Sequence, residues 1–523
     1  MLQTSGMPTS STFSNLMVPL LSPIPMAISM NPPTFGETIS GRPLDSNSNT
    51  PLYRQLYDRL REAILLGGLA PGSKLPSTRA CAEALGIARN TALNAYEQLL
   101  AEGYLMGRLG SGTFVSLSLP EEFLNAPAPR VRRTPEPPPP VSRRGAGLAA
   151  IPSPLSREQE SIRAFRHGLP AVDEFPFDSW GRLTARIWRD RPAGLMSYGD
   201  PAGYRPLREA IAAYLGVSRG VKCGADRVIV VSGSQQALDL TARVLLDPGD
   251  GAWIEDPGYL GARGAFLAAG VKLFPAPIDG DGATLPPDEP MGRIRLAYVS
   301  PAHQYPLGGT MGMGRRLALL DWAKRANAWI AEDDYDSEFR YAGRPLAALQ
   351  SIDAQGRVIY IGTFSKVLFP SIRLGYIDVP DSLVDLFVQA KTFASGHSPS
   401  VEQAVLAEFM SSGHFDRHVR RMRHLYADRQ EVFLRASHRE LTGRVEVRPS
   451  EAGMHLIAWL GPGVDDRAVS RRARERGIVI TPLSSLAITP QKRGALVLGY
   501  TAIEPRAIRD GIRHLAGVLA GSS

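Results

Sequence analysis

The chain has 523 residues, enough for about three folding units at roughly 100 to 200 residues each, which excludes a single small binding module. Hydrophobic residues make up 44% and charged residues 21%, so most of the chain can bury a core. Fifty-nine Lys and Arg against 51 Asp and Glu leave a net charge of +8, which permits a polyanionic partner without requiring one.

Cys81 and Cys223 are far apart and fit no paired metal-ligand spacing, so neither a disulfide framework nor a metal site is expected, and the compartment reads as cytoplasmic. No apolar run approaches the roughly 18 residues of a membrane helix, so no membrane association is expected. Glu37 is the first charged residue, which leaves no positive start for a signal peptide, and Pro19, Pro23 and Pro25 break the apolar stretch from Leu16 to Met30. Residues 1–48 read as a disordered leader rich in Ser, Met and Pro.

Leu52, Leu56, Leu60, Ala63 and Ile64 recur at helical spacing and predict a first helix that stops at Gly67-Gly68. Ser77-Thr78 can cap a second helix, Thr78 to Leu85, closed by Gly86. A third opens near Asn90, with Ala92, Tyr96, Leu99 and Leu100 facing inward, and ends at Gly103. Tyr104 to Val115 then alternates like a hairpin around Gly110-Ser111-Gly112. Helix, helix-turn-helix and a two-stranded wing is the order of a winged helix.

The third helix carries Arg89, Asn90 and Thr91 at its start, where a recognition helix presents side chains to base edges in the major groove. Arg79 on the second helix and Arg108 on the wing are placed to hold phosphates, with Ser77, Gly110 and Gly112 beside them. An exposed helical arginine taken alone is usually a solvated charge; the ordered set is more specific. Pro51-Leu52-Tyr53, Pro71-Gly72-Ser73-Lys74-Leu75-Pro76-Ser77-Thr78-Arg79, Arg89-Asn90-Thr91 and Glu102-Gly103-Tyr104 with Gly110-Ser111-Gly112-Thr113 resemble the GntR-type winged helix of bacterial regulators. The resemblance implies a DNA-binding domain over 49–117 and double-stranded operator DNA as partner, with Arg79 and Arg89 foremost.

From Pro120 to Pro154 prolines and arginines alternate, including Pro137 to Pro140 and Arg143-Arg144. Such a segment cannot build a core and is expected to be an extended, semi-rigid linker over 118–160. Its arginines could touch DNA phosphates or simply be solvated.

Over 161–521 strand-like runs alternate with helical ones, which predicts an α/β domain with a mainly parallel sheet. Val228 to Val231 reads as a strand, Ser232 to Gln235 as a turn and Gln236 to Leu246 as a helix, so the turn leaves free N–H groups at the positive end of a helix dipole. Trp329 to Glu332 and Val358 to Gly362 read as strands ending in Asp333-Asp334-Tyr335 and Thr363-Phe364-Ser365-Lys366, at the carboxyl ends where open α/β sheets bind ligands. A lysine, nearby hydroxyls, a phosphate-binding turn and a carboxylate are the parts that pyridoxal 5′-phosphate (PLP) requires. Alone, Ser365-Lys366 would read as a surface loop.

Tyr198-Gly199-Asp200-Pro201-Ala202-Gly203, Ser232-Gly233-Ser234-Gln235-Gln236-Ala237, Glu255-Asp256-Pro257-Gly258-Tyr259, Pro301-Ala302-His303-Gln304-Tyr305-Pro306-Leu307-Gly308, Glu332-Asp333-Asp334-Tyr335-Asp336 and Gly362-Thr363-Phe364-Ser365-Lys366 with Arg373-Leu374-Gly375-Tyr376 resemble, in order, the motifs of fold-type I aminotransferases. Fused to a GntR-type winged helix, this is similar to the MocR (GabR-like) regulators. The resemblance implies that Lys366 forms the Schiff base with PLP, Asp333 faces the pyridine nitrogen, Tyr335 bonds the cofactor's phenolic oxygen and Tyr259 stacks on its ring. Ser234, Gln235, Thr363, Ser365 and Arg373 match the phosphate cradle, and Tyr198 matches a tyrosine that reaches the partner subunit's phosphate, which implies a homodimer. His303 reads as structural.

Two positions depart from the aminotransferase pattern. Tyr305-Pro306-Leu307-Gly308 stands where Asn-Pro-Thr-Gly is usual, and Val497-Leu498-Gly499-Tyr500 where a carboxylate-binding arginine is common. These favour a PLP-dependent transcriptional regulator sensing a small amine, an amino acid or PLP itself. The rival is a working aminotransferase fused to a DNA-binding domain, on which fold and cofactor are silent.

Overall fold

The computed structural model describes residues 44–46, 48–119, 141–151, 164–190, 193–285, 294–343 and 346–520. Most of the expected leader (1–48) and most of the expected linker (118–160) lie outside these residues. The chain divides into two compact units, Met1–Pro138 and Pro139–Ser523.

In the first unit, α1 (Leu52–Leu65) buries Leu56, Tyr57, Leu60, Ala63 and Ile64 along one face, as a 3.6-residue period demands. Ser77 accepts a hydrogen bond from the Ala80 N–H at 3.2 Å and starts α2 (Thr78–Leu85), which Gly86 closes in the left-handed region at φ 64°. Helix α3 (Arg89–Ala101) buries Ala92, Ala95, Tyr96 and Leu99. Leu100, expected inside, is 37% exposed. One residue past Leu99 turns about 100° away from the buried stripe, and Ala95 fills the inward position instead. Strands β1 (Leu105–Arg108) and β2 (Gly112–Val115) pair antiparallel, Leu105 opposite Val115 and Arg108 opposite Gly112. Gly110 at φ 73° and Gly112 at φ 109° let the hairpin turn. Helices and hairpin share one core.

In the second unit, part of the segment expected as extended linker is helical. Helix α4 (Arg143–Ala149) is started by Ser142, whose hydroxyl accepts from the Gly145 N–H at 3.0 Å. A side-chain cap there starts the helix, and the nearby prolines, Pro137 to Pro140 before it and Pro152 and Pro154 after it, all lie outside its span.

The main sheet has the order β3-β10-β9-β8-β7-β4-β5-β6, with β3 (Val228–Val231), β4 (Gly251–Asp256), β5 (Lys272–Asp279), β6 (Gly282–Ala283), β7 (Ile294–Val299), β8 (Trp329–Asp334), β9 (Val358–Thr363) and β10 (Gly375–Asp378). The five strands from β9 to β5 run parallel, whereas β10 is antiparallel to both neighbours and β6 to β5. Both faces are covered: Val228 and Val230 enter one core, Ile229 and Val231 the other. Helices α5 (Arg205–Arg219), α6 (Ser234–Leu245) and α7 (Leu260–Ala268) belong to this layer, and α8 (His414–Leu441) leads away from it.

A second, antiparallel sheet of β11 (Val445–Val447), β12 (His455–Leu460), β14 (Ala495–Gly499) and β13 (Thr481–Pro482) packs with α8 and α9 (Pro505–Ala520) around a separate core. Gly499 is required here: a Cβ would lie 2.4 Å from the Arg166 carbonyl oxygen. The bare glycine lets segment 165–168 cross the end of β14, where Phe165 and Gly499 form a bridge.

Candidate nucleic-acid interface and cofactor site

In the first unit, Ala88 precedes α3 without a side-chain cap, so the helix opens on free backbone donors with Arg89 and Asn90 exposed and Thr91 partly covered. Arg79 is exposed and touches Glu83 one turn on at 3.1 Å, a surface pair that DNA phosphate can displace at little cost. The hydroxyl of Ser77 is committed to its cap. Arg108 lies over the Phe114 ring at 4.8 Å and Lys74 at 6.0 Å from the same ring. One wing aromatic thus holds two cations beside exposed Gly110 and Gly112. Sequence reasoning assigned Lys74 to a motif and gave it no role; only the β2 register places it against Phe114.

In the second unit, the carboxyl ends of β8 and β9 carry Asp333 and Lys366. The Lys366 Nζ donates to the Gly168 carbonyl at 2.8 Å. Burial lowers its pKa, opposed by the negative charges of Asp336 and Asp333. Asp333 accepts from the Tyr298 hydroxyl at 2.8 Å on Oδ2, while its Oδ1 is buried without a partner among the described residues. Burial pushes the Asp333 carboxyl up to about 7, despite the Tyr298 hydrogen bond. An orphaned, buried carboxylate oxygen calls for a donor, and a protonated pyridine nitrogen supplies one.

The turn before α6 forms the other end. Gly233 has φ 104°, and the site its Cβ would take lies 3.8 Å from Arg373 Nη1 and 3.9 Å from Thr363 Oγ1. Ser234 is the first residue of α6, so helix N–H groups, a guanidinium and a hydroxyl converge on one point, a geometry suited to a phosphate. The Ser365 N–H donates to Thr363 Oγ1 at 3.2 Å. Exposed Arg373 sits in the left-handed region at φ 50°. The Gln235 side-chain amide donates to the Gly261 carbonyl at 3.0 Å and ties α6 to α7, while its backbone lies in the first turn of α6. Tyr259 immediately precedes α7. Tyr198 is not brought to this group; it is 95% exposed and stands edge-on to His397.

Several residues around the lysine were not singled out from sequence. His167 Nε2 lies 2.8 Å from the Tyr305 hydroxyl and its Nδ1 3.1 Å from the Thr481 hydroxyl. His455 donates to the Pro306 carbonyl through Nε2 at 2.8 Å. Burial pushes His167 down to about 3 and His455 to about 4, so both rings are neutral at neutral pH. Tyr305 occupies the centre, its ring perpendicular to those of Tyr259 at 6.2 Å and Tyr335 at 6.0 Å. Val497 is buried on β14 between Ile457 and Thr481, in an apolar cluster with Leu260, Leu483 and Leu486. His303 has partners that a linear reading could not see: Asp336 and Tyr335 both reach its Nδ1.

The family model for bacterial regulatory proteins of the gntR family matches residues 52–115, and that for aminotransferase class I and II matches 171–502. The chain is 45% identical over 474 residues to the probable rhizopine catabolism regulatory protein MocR of Rhizobium meliloti, covering 90% of this chain and 94% of that protein. It is 33% identical to the HTH-type transcriptional regulator TauR of Rhodobacter capsulatus, over 90% of this chain and 96% of that one. The α-aminoadipate aminotransferase LysN of Thermus thermophilus, solved with N-(5′-phosphopyridoxyl)-L-leucine, superposes with a TM-score of 0.63 at 30% identity, covering 69% of this chain and 95% of LysN. A gntR winged helix followed by an aminotransferase-type domain, matched nearly end to end by MocR and TauR, places the chain in the MocR (GabR-like) family of GntR transcriptional regulators.

Proposed function

We propose that the protein is a DNA-binding transcriptional regulator that holds PLP on Lys366 and senses a small amine, an amino acid or PLP itself through its aminotransferase-like domain. The DNA-binding domain spans 49–117 and the effector domain 161–521. The observation that carries this reading is that the Lys366 amine and an Asp333 Oδ1 left without a partner among the described residues both lie at the sheet's carboxyl end. When bound, PLP supplies an aldehyde for the amine and an electron sink for groups attached to it. Asp333 would hold the pyridine N–H, the Gly233 turn with Arg373, Thr363 and Ser365 the phosphate, and Tyr259 and Tyr335 the ring and its phenolic oxygen.

The exposed ring of Tyr198 fits a contact with a second copy, and we infer a homodimer whose Tyr198 reaches the partner subunit's phosphate. No helix among the described residues is long and apolar enough to cross a membrane, and operator binding calls for the cytoplasm. The test of the cofactor assignment is direct. Protein incubated with PLP should turn yellow, and borohydride should fix phosphopyridoxyl mass on Lys366. An adduct on another lysine, or none, overturns it.

A further inference from the structure

His303 and Asp336 form a buried pair, 3% and 1% exposed, beside the tyrosine assigned to the cofactor's phenolic oxygen. His303 Nδ1 lies 3.0 Å from each Asp336 carboxylate oxygen and 2.9 Å from the Tyr335 hydroxyl. Chemistry fixes where the protons sit. An unprotonated Nδ1 would set its lone pair against two carboxylate oxygens, so Nδ1 carries a proton and donates it to Asp336. The Tyr335 oxygen shares that donor as an acceptor. The phenol cannot donate to a nitrogen that already bears hydrogen, and its own proton is left to point elsewhere.

The surrounding structure holds the ring in place. A Cβ on Gly453 would lie 2.0 Å from His303 Cε1, so only glycine admits the imidazole there. His455 stands 5.7 Å away, ring to ring. Asp336 acts electrostatically on Lys366, Asp333, Tyr335, Tyr341, Tyr500 and His455, and the lysine is also coupled to Asp333, His167 and His455.

We infer that Asp336 and His303 are positioning residues that turn the Tyr335 hydroxyl into a dedicated donor to the cofactor's phenolic oxygen, replacing the asparagine absent from this chain. The inference rests on the PLP assignment. The Asn-Pro-Thr-Gly asparagine would supply a second donor to that oxygen; here Tyr305 turns its hydroxyl to His167 instead. Tyr335 is therefore left as the donor, and its direction depends on His303.

A donor on the phenolic oxygen stabilises its negative charge, most when the adjoining nitrogen of Lys366 has lost its proton. Misdirecting Tyr335 should raise the pH at which the visible absorbance of PLP-loaded protein titrates. The experiment is that titration on full-length wild type, His303→Gln, Asp336→Asn, Tyr335→Phe and the His303→Gln/Tyr335→Phe double variant. Borohydride trapping on Lys366 confirms loading in each. The expected result is a midpoint raised by about one pH unit in His303→Gln, the size of one charge-assisted hydrogen bond, and by less in Asp336→Asn, which also removes a negative charge that favours the proton on Lys366. In the Tyr335→Phe background His303→Gln should add nothing. An unmoved midpoint in both relay variants, or an equal rise without the tyrosine hydroxyl, overturns the relay alone. Absence of the visible band in wild type overturns the PLP assignment and the relay together. If His303→Gln fails to fold, the nearly isosteric Asp336→Asn decides: its midpoint shift should differ between the Tyr335 and Tyr335→Phe backgrounds, and equal shifts in both overturn the relay.

Discussion

Arg219 and Asp334 form a buried ion pair directly behind the cofactor site, Nε to Oδ2 at 2.7 Å, with side chains 6% and 2% exposed. Arg219 is the last residue of α5, and the Tyr360 hydroxyl from β9 donates to the same carboxylate. Successive strand residues point to opposite faces, so fixing Asp334 on one side of β8 aims Asp333 at the other, toward Tyr298. The pair therefore sets the orientation of the residue assigned to the pyridine nitrogen without touching the site.

Arg219→Met should strand Asp334 as an uncompensated buried charge. Removing one partner of such a pair costs about 3 to 5 kcal/mol, whereas exposed pairs such as Arg79 with Glu83 are worth at most about 1. Denaturant unfolding should show the effector-domain transition moved to lower concentration. An unchanged midpoint would show that the pair does not stabilise the strand end.

The raised pKa of Asp333 predicts a pH dependence with a definite sign. Burial pushes its carboxyl up to about 7 in the folded, cofactor-free protein against about 3.9 in an unfolded chain, so the folded state binds the proton more tightly. Its stabilising contribution is present below about pH 4 and is lost as pH rises through about 7. The stability of cofactor-free wild type minus that of Asp333→Asn should thus decline across that window, measured by denaturant midpoints of both proteins. A difference that grows with pH would mean Asp333 is ionised and paired. PLP should reverse the trend in wild type, since a pyridinium N–H favours the carboxylate.

For DNA binding, residues at the start of α3 and on the wing should separate by what they read. Arg89→Ala should cost about 1 to 3 kcal/mol in operator affinity if its contact is bidentate to guanine, with discrimination relaxed at that base. Lys74→Ala should weaken binding evenly across sequences and reduce the slope of log affinity against log salt by about one. Competition binding at several salt concentrations distinguishes the two. A Lys74 variant that changes sequence preference with an unaltered salt slope would refute the phosphate assignment.

Much of this architecture was legible because local rules and the fold agree. Ser77 and Gly86 bound α2 as their cap chemistry requires, and Lys366 and Asp333 fall at the ends of adjacent parallel strands. The lost information is non-local. Segment 166–168 reaches the lysine because Gly499, more than 300 residues later, has no side chain to block it. His303 looked structural because Asp336, 33 residues away, joins it only when β7 pairs with β8. Leu100 failed for a simpler reason: the buried stripe of α3 runs through Ala92, Ala95, Tyr96 and Leu99, and the next position, about 100° on, falls outside it.

The last prediction separates a sensor from an enzyme. Transamination requires a base that moves a proton at the substrate Cα, and Lys366 is the amine placed for it. It also requires a carboxylate held so that the Cα–H bond stands across the conjugated plane. Arg373 is turned to the Gly233 turn, and Val497 offers an apolar surface between Ile457 and Thr481. The two neutral histidines nearby carry no charge to replace a guanidinium. An amino donor should therefore alter the visible absorbance and DNA binding yet lie too loosely for efficient proton transfer, since misplacement by about 1 Å can cost on the order of a hundredfold in rate. Steady release of keto acid should be slow or absent. Lys366→Ala should bind DNA with nearly unchanged affinity while losing its response to the donor. Multiple-turnover transamination with any amino-acid and keto-acid pair at about 1 per second or more would defeat the sensor reading and establish the enzyme.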